Sequence, residues 1–237
     1  MRNFLLTIAG FDPTGGAGVL RDVRTFNRFG FLGTAVVTAN TSQNTKGVFK
    51  VTFTDGDFLI DQVERVLDEI EVKGVKVGIP HRDFCVNERL AVRLGDLGVP
   101  IVFDPVLSPT FGRTFIEEVS SILPLIEVST LITPNFSEFE VIKDYLSGKN
   151  YVIKGVEREN FVCDRLFLKG VLREEVCHER DDRVVRGTGC AFSSALLSLL
   201  SAGKKIEDAF RESSLFLREY REKAFPLRGA KQLYSEL

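Results

Sequence analysis

What the chain lacks narrows its reading before any motif is weighed. Its 237 residues carry 31 Lys and Arg against 33 Asp and Glu, a formal net charge of −2. There is no basic surplus to hold nucleic acid or an anionic membrane surface. No apolar run approaches the roughly 20 residues a membrane-spanning helix needs; the longest, Ala195–Leu200 with its flanks, stops far short of it. The start, MRNFLLTIAGFDPTGG, is basic and then apolar like a short leader, but it halts at a Gly/Pro turn without an A-x-A site and reads as a first β-strand. The four cysteines, Cys85, Cys163, Cys177 and Cys190, show no C-x-x-C spacing, which speaks against a disulfide framework. Cys177-His178 has no partner cluster that would make a zinc site. These absences predict one globular domain over residues 1–237, placed in the reducing cytoplasm, with 44% hydrophobic residues to fill its core.

What is present is a regular alternation of patterns. Strand-like runs at Phe4–Ala9, Thr34–Thr38, Val48–Phe53, Val75–Ile79, Ile101–Phe103, Thr130–Thr133 and Tyr151–Lys154 alternate with helical patterns at Gly18–Phe29, Phe58–Ile70, Phe84–Leu97, Phe115–Leu123 and Ser137–Leu146. In Phe58–Ile70 the apolar Leu59, Val63, Val66, Leu67 and Ile70 recur at three- and four-residue steps, the mark of an amphipathic helix. Phe161–Val176 reads as a hairpin, and helices Cys190–Ala202 and Ile206–Lys223 close the chain. This order predicts an α/β fold, a single domain with helices on both faces of a mainly parallel central sheet. In such sheets ligands bind beyond the carboxyl ends of the strands, so the residues just after strands are the candidates.

Directly after the first strand comes GFDPTGGAG, Gly10–Gly18. It is not a P-loop, because Gly16-Ala17 stands where Lys-Ser/Thr is required. It is not a dinucleotide fingerprint either, because Arg21 occupies the third small position. A loop that lets backbone approach a small ligand remains, with Asp22 one helical turn on. Asp104 follows the strand Ile101–Phe103, and Asn135 with Glu138 follows Thr130–Thr133; these oxygens could hold Mg²⁺ beside phosphates, or serve as turn and helix-cap residues. Gly187-Thr188-Gly189-Cys190 opens a helix, whose free N–H groups and positive dipole end favour phosphate oxygens. The same field predicts a lowered thiol pKa for Cys190, set against the alternative of a small buried core cysteine. Arg186, one residue before the turn, points to an anion site.

Together these pieces resemble a known family. AGFDPTGGAGVLRDVRTF, TSQNTKGV, VGI, FDPV, ITPNFSEFE, VIKG and GTGCAFSSAL occur in the order found in bacterial hydroxymethylpyrimidine/phosphomethylpyrimidine kinases of thiamine biosynthesis, members of the ribokinase-like superfamily. The similarity runs from about Phe4 to about Lys223. It departs in four places: Lys154-Gly155-Val156-Glu157 replaces the usual Lys-Gly-Gly-His, residues 108–112 replace a lysine-containing AKSG, Val77-Gly78-Ile79 replaces IGM, and only eighteen residues separate Asn135 from Lys154.

The resemblance implies a three-layer α/β/α kinase that uses ATP and Mg²⁺ to phosphorylate 4-amino-5-hydroxymethyl-2-methylpyrimidine and then its monophosphate. By the same resemblance Gln43 would read the aminopyrimidine through its amide, Asp22 and the Gly10 backbone would line that pocket, and Ile79 and Val106 would be its apolar walls. Asp104, Asn135 and Glu138 would surround Mg²⁺ and its waters, while Lys154 and Thr188 would face the ATP phosphates. Gly187–Cys190 would form the anion hole, with Cys190 as the base that takes the substrate hydroxyl proton. A homodimer is implied as well. Two rival readings stand beside this one: a pyridoxal kinase-type vitamin kinase on the same scaffold, and a non-catalytic pyrimidine-binding protein.

Overall fold

The computed structural model describes residues 3–108, 115–116 and 118–237. Strand β1 (Phe4–Phe11) is buried along nearly its whole length, because both of its faces are covered. Side chains in a strand point alternately to opposite faces. Leu6 and Ile8 join a core that includes Leu59, Val63, Leu90 and Leu125, whereas Leu5 joins a second core with Phe26, Phe192, Leu196 and Phe210. These partners sit on helices α1 (Gly18–Arg28), α2 (Gly56–Glu69), α3 (Phe84–Gly95), α4 (Leu123–Val128), α6 (Thr188–Ser201) and α7 (Ile206–Glu222). The expected three-layer arrangement follows: α2, α3 and α4 on one face, α1, α6 and α7 on the other. Between α4 and α6 lies the short α5 (Phe136–Ile142).

Nine strands form one sheet in the order β3-β2-β1-β4-β5-β6-β7-β8-β9. Strands β1, β2 (Leu32–Asn44), β4 (Val72–Val77), β5 (Ile101–Phe103), β6 (Leu131–Ile132) and β7 (Tyr151–Arg158) run parallel. Strand β3 (Gly47–Phe53) folds back antiparallel on β2, and β8 (Phe161–Leu168) and β9 (Val171–Glu179) extend the other edge antiparallel. The winding changes direction between β1 and β4, so the crevice beyond their carboxyl ends is where a parallel sheet of this kind accepts a ligand. A small antiparallel pair, β10 (Ala224–Phe225) and β11 (Tyr234–Ser235), closes the chain.

Three expectations are corrected. The strand expected at Thr34–Thr38 is the centre of the thirteen-residue β2, which carries Gln43 at its carboxyl end rather than on a loop. The helix expected over Phe115–Leu123 is displaced: Val119–Ile122 forms a single 3₁₀ turn and α4 begins at Leu123, with Pro124 in its first turn. Proline suits a helix start, where its missing N–H has no partner to lose. The third correction concerns Cys163 and Cys177, which are joined by a disulfide. Each lies seven residues from Gly170, so the β8–β9 hairpin sets them directly opposite one another, with Cα atoms 4.1 Å apart. Pairing across a turn needs no C-x-x-C spacing, which is why spacing gave no sign of it. The 109–112 part of the segment replacing AKSG lies outside the described residues. Among the described residues, no helix is long and apolar enough to cross a membrane.

Candidate active site

At the carboxyl end of β5 the backbone delivers Asp104, 2% exposed, into a polar cluster. Lys154 Nζ donates to its Oδ1 at 2.6 Å and Thr133 Oγ1 to the same oxygen at 3.2 Å, while the Ser193 hydroxyl donates to Oδ2 at 3.0 Å. Burial alone would raise the Asp104 carboxyl; the ammonium groups of Lys154 and Lys76 outweigh it and hold the pKa below the ordinary value. Burial disfavours the Lys154 charge in turn, but the Asp104 and Glu138 carboxylates raise its pKa above normal. A side chain at Gly189 would stand 3.3 Å from Lys154 Nζ, so the absence of one lets the helix start close on this pair.

Helix α6 begins at Thr188 with no side-chain cap and no acidic residue in its first turn. Its first N–H groups are therefore unclaimed donors at the positive end of a fourteen-residue helix. Gly187 turns into it with φ +74°, and a β-carbon there would lie 2.0 Å from the Gly16 carbonyl oxygen. Only glycine fits, so the turn and the Gly-rich loop pack backbone to backbone. Cys190 follows within the first turn. Burial pushes its thiol up, with Lys76 and the Gly18 N–H pulling the other way and Asp22 and Asp104 adding to the rise. The expected lowering of this thiol is thus corrected: the helix end and an ammonium are present, but desolvation and two carboxylates outweigh them.

Beneath this surface lies a layer that sequence reading missed. Lys76 and Asp22 are both fully buried and form an ion pair, and Asp22 also accepts from Thr7 Oγ1 at 2.7 Å and Ser194 Oγ at 2.9 Å. Asp22, expected to line the pocket, reaches no open surface; it anchors α1 to β1, β4 and α6 from below. The available signal was Lys76 itself, a cation within the apolar strand sequence VKGVKV. Charges are rarely buried unless paired.

Asn135 and Glu138 form a reciprocal capping box at the start of α5. The Asn135 side-chain Oδ1 accepts from the Glu138 N–H at 2.9 Å, which commits one of its two lone pairs to the cap, and the amide N–H₂ of this exposed residue can meet a ligand as a donor. Glu138 accepts from the Asn135 and Leu107 N–H groups, and its pKa is pushed up to about 7, chiefly by burial. Asp104 and Glu138 are thus two carboxylates flanking one lysine. That donor set suits Mg²⁺, which is commonly held by one or two carboxylates together with substrate phosphates.

On the other side, Gln43, Gly10, Ile79 and Val106 come from the ends of β2, β1, β4 and β5. Gly10 packs under Ile79, where a β-carbon would meet the Ile79 side chain at 2.5 Å. Ile79 and Val106 are half-buried apolar groups against the core, as walls require. Arg186 corrects another expectation. Its donors are all held by protein acceptors, among them the buried Asp12 and Gln43, so it offers none to an anion.

Comparison with known proteins places the chain in a family and a fold. The family model described as phosphomethylpyrimidine kinase matches residues 12–233. A hydroxymethylpyrimidine/phosphomethylpyrimidine kinase of Aquifex aeolicus is 33% identical over 238 residues, covering 90% of this chain and 92% of its own. Among solved structures, a phosphomethylpyrimidine kinase from Clostridium difficile 630 superposes with a TM-score of 0.74 at 29% identity, covering 92% of this chain and 99% of its own. The ADP complex of Bacillus subtilis pyridoxal kinase gives a TM-score of 0.82 at 24% identity, covering 99% and 97% of the two chains, and shows the shared fold.

Proposed function

Because the chain belongs to the phosphomethylpyrimidine kinase family, we propose that it transfers the γ-phosphoryl group of ATP to the hydroxyl of 4-amino-5-hydroxymethyl-2-methylpyrimidine, and then to the monophosphate so formed, as a step of thiamine biosynthesis. The observation that carries the reading is the uncapped N-terminus of α6 beside the Asp104–Lys154 pair. Phosphoryl transfer depends on positioning and charge neutralisation more than on covalent chemistry by the protein. The backbone of Gly187–Cys190 would cradle the transferring phosphoryl group and Lys154 would meet the ATP phosphates, with Thr188 and the Asn135 amide as further donors. Asp104 and Glu138 would hold Mg²⁺, which supplies charge neutralisation on the phosphate oxygens. Cys190 Sγ, half-buried in the first turn of α6, would take the hydroxyl proton as the thiolate, after its own proton has passed to solvent, and Gln43 would meet the ring, walled by Ile79 and Val106 over the Gly10 backbone. A homodimer working in the cytoplasm belongs to the same reading.

ADP release measured with the free alcohol, with its monophosphate and with pyridoxal tests it. Turnover of the two pyrimidines well above pyridoxal is expected. Faster turnover of pyridoxal would replace the substrate, and pyrimidine binding without ATP binding in calorimetry would replace the enzyme.

A further inference from the structure

The guanidinium of Arg186 is saturated. Nε and Nη2 donate to Asp12 Oδ2 at 3.1 and 2.9 Å, and Nη2 also donates to Gln43 Oε1 at 2.6 Å. Nη1 donates to Gln232 Oε1 at 2.9 Å and to the Asn44 carbonyl at 3.2 Å. An arginine has five N–H donors, and each has its acceptor here. Such a group cannot bind a ligand without breaking a bond it already makes, so its effect lies in the partners it holds. Asp12, 1% exposed, passes the constraint on: its Oδ1 accepts from the Thr14 N–H and hydroxyl, which shapes the Gly-rich loop. Gln43 is the other partner, and it stands at the end of β2 beside the crevice.

A side-chain amide can be turned end for end at small cost, because its oxygen and nitrogen are alike in size; what fixes it is hydrogen bonding. Two independent neighbours fix this one. Arg186 can only donate, so only Oε1 can face it. Thr41 gives its single proton to the Phe11 carbonyl at 2.9 Å, so toward Gln43 it can only accept, and Nε2 donates to it at 2.7 Å. Turning the amide would set N–H against N–H and oxygen against oxygen, and would lose two hydrogen bonds, one of them charge-assisted. The amide keeps one N–H and one oxygen lone pair for a ligand, in a fixed order.

We propose that Arg186, together with Thr41, is a specificity-determining positioning residue that sets the polarity of Gln43 and thereby the kind of ring the site accepts. The fixed order matches a ring nitrogen acceptor beside an exocyclic amine donor. It opposes a ring N–H beside an exocyclic oxygen, which presents donor and acceptor at the same two positions in exchanged order. The proposal rests on the reading of Gln43 as the residue that meets the pyrimidine.

The test is kcat/KM for the 4-amino pyrimidine and for its 4-oxo analogue, in the unaltered protein and in the variants Arg186→Met, Arg186→Lys, Thr41→Val and Gln43→Leu. The unaltered protein should prefer the amine strongly, since a site built to hydrogen-bond one pattern rejects its inverse. Arg186→Met and Thr41→Val should each shrink that preference by about tenfold or more, mainly through opposite changes in the two KM values. Arg186→Lys keeps a donor toward Oε1 and should retain most of the preference. Arg186→Met leaves the buried Asp12 carboxylate unpaired; if it does not fold, Thr41→Val carries the same comparison with the shape kept. Parallel losses on both substrates, with their ratio unchanged, would overturn the proposal, because a merely structural clamp acts on both alike. A ratio that collapses in Gln43→Leu but holds in Arg186→Met and Thr41→Val removes the clamp and leaves Gln43 as reader. A ratio untouched in Gln43→Leu removes the reader, and the clamp with it.

Discussion

Lys154 Nζ and Asp104 Oδ1 lie 2.6 Å apart at the start of α6, where a side chain on Gly189 would meet both residues. In the proposed reaction these partners separate in role, the lysine toward ATP phosphates and the carboxylate toward Mg²⁺. Asp104→Asn should raise the Mg²⁺ concentration needed for half-activity, and Lys154→Met should raise KM for ATP while leaving KM for the pyrimidine nearly unchanged. Chelation should abolish turnover; full activity in chelator would remove Asp104 and Glu138 from their assigned role.

Glu138 carries a pH dependence of defined sign. Its pKa is pushed up to about 7 by burial, against the pull of Lys154, while the unfolded chain titrates near the ordinary value of about 4.3. Between these values the folded protein holds a proton that the unfolded chain has lost. Stability should therefore fall as pH rises through that window, and the loss should be complete above about 7. Urea midpoints at about pH 5 and about pH 8 should differ less in Glu138→Gln than in the unaltered protein. An equal difference in both would show that Glu138 titrates normally.

Burial raises the pKa of the Cys190 thiol in the free protein, so the thiolate that the proposed base role requires is its minor form near neutral pH. Alkylation should be slow near neutral pH and accelerate above the ordinary thiol range, whereas the exposed Cys85 reacts first. The pyrimidine should protect Cys190 and leave Cys85 unprotected. Cys190→Ser should lower kcat by about 10²–10⁴-fold with KM for ATP little changed, the usual loss when a general base is weakened. Cys190→Asp should restore part of the rate. Near-full kcat in Cys190→Ser would leave the Gly187–Gly189 backbone as the sole contribution of this turn.

The ion pair of Lys76 and Asp22 should prove structural. Lys76→Met leaves the Asp22 carboxylate buried without its cation, at a cost of ~3–5 kcal/mol in urea unfolding. The double change Lys76→Met with Asp22→Leu should recover much of that loss, since removing both partners removes the unpaired charge. A single variant as stable as the unaltered protein would mean that Thr7 and Ser194 alone satisfy Asp22.

Much of this protein is local and was legible without coordinates. The alternation of strand and helix, the helix start at Gly187–Cys190, the cap at Asn135 and the strand ends carrying Asp104 and Ile79 all rest on periodicity and on residue types with fixed backbone preferences, which act over a few neighbours. The motif resemblance added the roles, which no spacing could. Tertiary structure decided what depends on partners far apart in the chain. Asp22 is beneath the site because Lys76, 54 positions away, meets it there. Arg186 is a clamp and not an anion ligand because Asp12 and Gln43, 174 and 143 positions away, occupy its donors. Cys163 meets Cys177 through hairpin register, and the Cys190 thiol is raised because packing brings burial and two carboxylates against a helix end that alone would lower it. Propensity and motif are properties of a segment; desolvation, hydrogen-bond saturation and charge pairing belong to the packed whole.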